Sequence, residues 1–157
     1  MQDGLTIREL AVGQKASAAK TLTESDVYLF AGITGDLNPL HVNAEYARGT
    51  RFQRRIAHGM LTASLVSAVQ ATQLPGPGNL YIRQTLEFRA PVFFGDTITA
   101  SVEVIGVDVE RNRVRLRTEC HNQDGLLVLT GESELAPRVV RDHAARPPGP
   151  PDPDGLR

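Results

Sequence analysis

From Ile56 to Ile82 the chain contains no Asp, Glu, Lys or Arg, and an uncharged segment of that length has few places to go. A membrane span needs about 20 mainly apolar residues. This segment instead holds Thr62, Ser64, Ser67, Gln70, Thr72 and Gln73, and Pro75-Gly76-Pro77-Gly78 breaks it. The remaining reading is a helix from about Met60 to Leu74, apolar nearly all round and buried inside a soluble protein. Something must wrap it, and the second half of the chain supplies the wrapping. Leu80 to Arg89 alternates, and Asp96 to Val107 alternates more cleanly through Ile98, Ala100, Val102 and Val104. Arg113 to His121 sets Val114, Leu116, Thr118 and Cys120 against Arg113, Arg115, Arg117 and Glu119. After the Asn122-Gln123-Asp124-Gly125 turn, Leu126 to Leu135 reads as a fourth long strand. Period-2 runs joined by tight connections predict an antiparallel sheet with one dry face. Curled around the helix, such a sheet makes an α+β fold.

The first half is less regular. A weak strand signal runs from about Ala11 to Lys20. Thr23-Glu24-Ser25-Asp26 has the form of a helix start, with Thr23 as cap; Val27, Phe30, Ala31 and Thr34 follow at helical spacing. Gly35 suits the left-handed position that closes a helix, and Ala44 to Arg48 predicts one more short turn. From Pro137 the character changes: six of the ten prolines lie in residues 137–157. This predicts one domain over residues 1–136 and a proline-rich, disordered tail over 137–157.

Composition excludes several function classes. With 17 basic against 18 acidic residues, no overall field argues for nucleic acid or a membrane surface. Cys120 is the only cysteine, so there is no internal disulfide and no thiolate cluster for zinc. The N-terminus lacks a basic region followed by an apolar core, which leaves the cytoplasm as the default location.

The chemistry concentrates in Gly35-Asp36-Leu37-Asn38-Pro39-Leu40-His41. Asp36 and His41 are five positions apart, which on a helix would put them roughly 140° apart in azimuth. Pro39 pushes Asn38 out of the α region, so both side chains are expected on an irregular turn past a helix end. Such a turn can aim a proton acceptor and a proton donor at one point. The plainer alternative is that Asp36 caps the next turn and His41 is a surface polar residue. A second element, Ile56-Ala57-His58-Gly59-Met60-Leu61, leads into the uncharged helix and places the Gly59 N–H at its positive end, suited to a developing oxyanion. Alone it would be an ordinary helix entry, with His58 shaping the turn. Ser67, two turns into that helix, is either a polar contact for the site or a back-bond to the Ala63 carbonyl.

An acid/base pair, an oxyanion site and an apolar helix suit addition of water across an α,β-unsaturated thioester. A base deprotonates water for attack at C3, the thioester oxygen gains enolate character, and a proton arrives at C2. No metal is needed for these steps.

The Gly35–His41 string, then Phe52 and Ile56–Leu61, resembles the hydratase 2 motif of the MaoC-like hot-dog family. Leu74–Gly78 and Phe88–Asp96 also match text in that family, and the likeness runs from about Leu10 to Leu135. The resemblance implies a hot-dog α+β fold and (R)-specific enoyl-CoA hydration, syn and reversible. It implies Asp36 and His41 as the catalytic pair, the Gly59 N–H as oxyanion donor and Ser67 as a supporting hydrogen bond. Asn38, Phe52 and His58 are candidate lining residues. Asp36 is expected as the base toward water, with His41 orienting it and handling the proton sent to C2. No metal or cofactor is implied, coenzyme A being part of the substrate, and a homodimer with one continuous sheet is. Within the fold, a 3-hydroxyacyl carrier-protein dehydratase would use the same residues, and a thioesterase would lack the motif. A non-catalytic acyl-thioester-binding subunit is the reading from another class. Coenzyme A phosphates could be met by the Arg111–Arg117 run, otherwise a solvated strand face, or by Arg51, Arg54 and Arg55. Val66, Val69 and Gln70 are candidates for the end of an acyl tunnel.

Overall fold

A computed structural model of the protein describes residues 3–139. After a 3-10 turn at Ile7–Glu9 come β1 (Lys15–Thr21), α1 (Glu24–Thr34), α2 (Pro39–Val42), α3 (Ala44–Arg48) and α4 (Gly59–Thr72). The chain finishes with β2 (Leu80–Phe88), β3 (Thr97–Asp108), β4 (Arg113–His121) and β5 (Leu127–Ala136). The strands form one antiparallel sheet in the order β1-β3-β4-β5-β2, with the helices on one side of it, which is the hot-dog arrangement.

Alternation set the dry face. Ile98, Ala100, Val102 and Val104 of β3 and Val114, Leu116, Thr118 and Cys120 of β4 are all buried. Against them α4 turns Leu61, Thr62, Val66, Val69 and Gln70, and Gln70 donates through Nε2 to Ser133 Oγ of β5 at 2.6 Å. Polar groups buried this way need such partners. The wrapping is one-sided, however. Met60, Ser64, Ser67, Ala68 and Ala71 on the opposite face of α4 are exposed, because five strands reach only one side of a helix.

β2 also departs from expectation. Its alternation predicted a core face, yet Leu80, Tyr81, Ile82 and Phe88 are exposed, 63%, 37%, 42% and 51% in turn. Among the described residues β2 is an edge strand paired only with β5, and its register shifts between Tyr81 and Arg83. Across that pair, a Cβ on Gly131 would lie 1.9 Å from the Thr85 carbonyl oxygen, so the β2–β5 approach requires glycine there.

Pro137 and Arg138, assigned to the tail by composition, are held against the domain. Pro137 is buried and its carbonyl accepts from Asn112 Nδ2 at 2.9 Å. Arg138 pairs with Asp3 at 3.2 Å and its Nε donates to the Gly4 carbonyl. The rest of the predicted tail, residues 140–157, lies outside the described residues. Among the described residues, no helix is long and apolar enough to cross a membrane.

Candidate active site

The site begins where α1 stops. Thr23 caps α1 by accepting from the Asp26 amide, and Gly35 closes it at φ 76° with its N–H on the Ala31 carbonyl. The chain then turns tightly. Asp36 Oδ1 accepts the Asn38 N–H at 3.2 Å, and Asn38 Oδ1 accepts the Leu40 N–H at 3.1 Å. Pro39 at the first helical position starts α2, a single turn with Asn38 at φ −52°, ψ 126° before it. His41 therefore sits on a short helix rather than on the irregular turn, while Asp36 remains on the turn. That difference matters for burial: His41 is 8% exposed, whereas the Asp36 side chain is half exposed.

The segment Ile56–Ala57 lies between α2 and the Pro91–Phe93 loop. Ile56 donates its N–H to the Leu40 carbonyl at 3.2 Å, Ala57 to the Val92 carbonyl at 2.8 Å. The Ile56 carbonyl faces His41 Nδ1 at 2.8 Å. A carbonyl only accepts, so Nδ1 carries the proton and the neutral ring offers Nε2 as a bare lone pair. Burial pushes the His41 pKa down, against the opposing pull of the Ile56 hydrogen bond.

His58, just before α4, is 1% exposed and packs its ring 3.9 Å from that of His41 and 5.0 Å from that of Phe30. Its Nε2 donates to the Asp36 backbone carbonyl at 2.9 Å, which fixes the Asp36 turn against α4, and its Nδ1 has no partner among the described residues. Asp36, His41 and His58 each bring one side-chain polar atom within 4.8 Å of the others. That is also a donor set in which a metal could sit, although one nitrogen of each histidine is already hydrogen-bonded to a backbone carbonyl.

α4 starts without a side-chain cap, so the amides of its first turn, Gly59 among them, lack intrahelical partners. A Cβ on Gly59 would meet the Phe88 ring at 2.8 Å. The bare backbone therefore accommodates Phe88 as well as any ligand.

These parts open onto one cavity of about 430 Å³, within the range of small-molecule sites. Asp36, His41, Phe52, His58 and Gly59 all line it. Asn38 does not, because its side chain is committed to capping α2. Ser67 does not either. It lies eight residues beyond Gly59, about 12 Å along the helix, on the exposed face. The anticipated tunnel-end residues Val66, Val69 and Gln70 face the sheet and line no part of this cavity. Sequence reading missed Thr62, Phe88, Arg89 and Val128 as lining residues. The Phe88–Val92 text matched the family, but nothing in it marked a wall of the site.

The MaoC like domain family matches residues 9–123. An (R)-specific enoyl-CoA hydratase of Rhodospirillum rubrum is 53% identical over 127 residues, 81% of this chain and 88% of its own. A 3-hydroxybutyryl-CoA dehydratase of Methylorubrum extorquens is 49% identical over 129 residues, 82% of each chain. Among solved structures, the unliganded R-hydratase PhaJ1 from Pseudomonas aeruginosa superposes with a TM-score of 0.82 at 44% identity, covering 92% of this chain and 95% of its own. With these relatives, and with the motif residues converging on one cavity, the chain belongs to the MaoC-like family of hot-dog hydratases and dehydratases.

Proposed function

We propose that the protein is an (R)-specific enoyl-CoA hydratase, adding water reversibly and syn to a trans-2-enoyl-CoA to give the (R)-3-hydroxyacyl-CoA. The carrying observation is the His41 Nδ1–H bound to the Ile56 carbonyl, which leaves Nε2 as the ring's acceptor in a cluster where one polar atom each of Asp36, His41 and His58 lies within 4.8 Å of the others. One water between Asp36 and His41 donates a hydrogen to each. Its oxygen attacks C3 as Asp36 takes one proton, and the electron pair moves through C2 to the thioester oxygen. The Gly59 N–H and the positive end of α4 stabilise the charge there. His41 enters without a proton on Nε2; in this scheme Asp36, in place of the His41 suggested by the sequence, returns to C2 the proton it removed, on the same face. Asp36 thus serves as base and then acid, with His41 orienting the water. His58 acts as a positioning residue behind the pair. The (R) face is the one named for the similar hydratases. No step draws on a cofactor or metal; coenzyme A enters with the substrate.

The test is purified protein with crotonyl-CoA. Loss of the conjugated enoyl-thioester absorbance, with chiral analysis giving the (R)-alcohol, is expected. Inertness toward short and longer enoyl-CoAs, with turnover of enoyl carrier protein instead, would replace this reading with a carrier-protein dehydratase.

We also infer a homodimer joined at β2. The other sheet edge, β1, is blunted by Lys15 and Lys20, whereas β2 exposes four large apolar side chains. Pairing two β2 edges would continue the sheet and cover that surface. Sedimentation equilibrium should give twice the 17.1 kDa chain mass; a monomer at micromolar concentration would overturn the inference.

A further inference from the structure

The rim of the cavity carries a cation that hydration does not use. Arg51 is exposed yet lines the same cavity as Asp36 and His41. Four arginines crowd this stretch, and their partners distinguish them. Arg48 pairs with Glu45 at 2.9 Å. Arg55 pairs with Glu24 and donates to the Tyr28 hydroxyl. Arg54 lies 3.8 Å over the Phe93 ring and lines a separate depression. Arg51 makes no ion pair among the described residues; its guanidinium carbon sits 4.7 Å over the Phe52 ring, itself a wall of the cavity. The turn beneath is fixed: Gln53 donates its N–H to the Thr50 carbonyl at 3.1 Å and stands at φ 58°. Arg89 also reaches the cavity, but it is paired with Glu87.

We propose that Arg51 recognises the phosphate at the far end of the substrate's pantetheine arm. The proposal rests on the enoyl-thioester reading of the cavity. An acyl group seated against Asp36 and His41 must trail its arm out across the rim. A guanidinium stacked on an aromatic face keeps its N–H edge free and pre-oriented, the arrangement suited to bidentate phosphate recognition. The phosphate is shared by coenzyme A and by the phosphopantetheine of a carrier protein, so Arg51 sets preference for phosphorylated carriers rather than for acyl chain.

The experiment compares crotonyl-CoA, crotonyl carrier protein and phosphate-free crotonyl-pantetheine on wild type, Arg51→Gln and, as control, Arg54→Gln. Arg51→Gln should raise KM about tenfold for a phosphate-bearing substrate, leave kcat in place and leave crotonyl-pantetheine unchanged. The larger effect identifies coenzyme A or carrier protein as the natural source. Arg54→Gln should match wild type on all three. An equal KM change on crotonyl-pantetheine, or no change on any substrate, overturns the proposal. Calorimetric binding of free coenzyme A to wild type and Arg51→Gln supplies a readout apart from catalysis. If wild type turns over no thioester, the hydratase reading falls, and equal coenzyme A affinity in the two proteins would separately overturn the role of Arg51.

Discussion

Asp36→Asn is expected to lower kcat for crotonyl-CoA hydration by roughly 10³-fold, with little change in substrate affinity. General acid–base groups contribute about 10²–10⁴ to rate, and in the proposed scheme Asp36 handles both proton transfers. The substitution is well suited to isolate that role. Asn keeps an oxygen that can accept the Asn38 N–H now bound by Asp36 Oδ1, and the His58 bond goes to the Asp36 backbone carbonyl. The turn therefore survives while the base is lost. Steady-state absorbance kinetics, with circular dichroism to verify the fold, would measure it. Turnover within a few fold of wild type would move the base to His41.

The second large effect concerns His41 and pH. His41→Gln can still donate an amide N–H toward the Ile56 carbonyl but offers no basic nitrogen to water, so kcat should fall about 10²–10³-fold. In the wild type, burial shifts the His41 pKa below its ordinary value of 6.5. A lowered pKa means the ring takes up its proton only at more acidic pH. Activity requiring bare Nε2 is thus retained as pH falls through 6.5 and is lost below it. A histidine-dependent limb of kcat/KM centred at or above 6.5 would contradict the assignment of His41 as a neutral acceptor. Following the ring by NMR through the same range would identify which group causes any limb.

Much of this arrangement is legible in the sequence, for local reasons. Thr23 with Asp26 and Gly35 marked both ends of α1, because caps and left-handed closures depend on a few adjacent residues. β4 alternated because one of its faces is buried, and its predicted bounds match the observed strand. The Asp36–His41 pair was readable because Pro39 and Asn38 dictate the turn between them. Elsewhere the structure places residues differently from what the sequence suggested. β2 alternates like a core strand, yet its position at the sheet edge exposes it. Asn38 looked like a lining residue, but it caps α2. Ser67 shares a helix with Gly59 without sharing its cavity, since helix rise separates them and the sheet covers the opposite face.

Periodicity and short-range backbone preference are enough to read the long strands, the dry face of β3 and β4, the turn carrying Asp36 and the uncharged helix opening at Gly59, though not the single turn of α2. Which nitrogen of His41 is free depends instead on a long-range contact. The Ile56 carbonyl that takes the other nitrogen is 15 residues away along the chain. Folding also places Arg51, which makes no ion pair among the described residues, at the cavity of Asp36 and His41, whereas Arg54 and Arg55 line a separate depression. Tautomer, burial and ion pairing depend on partners brought together by folding, and no local pattern in the chain records them.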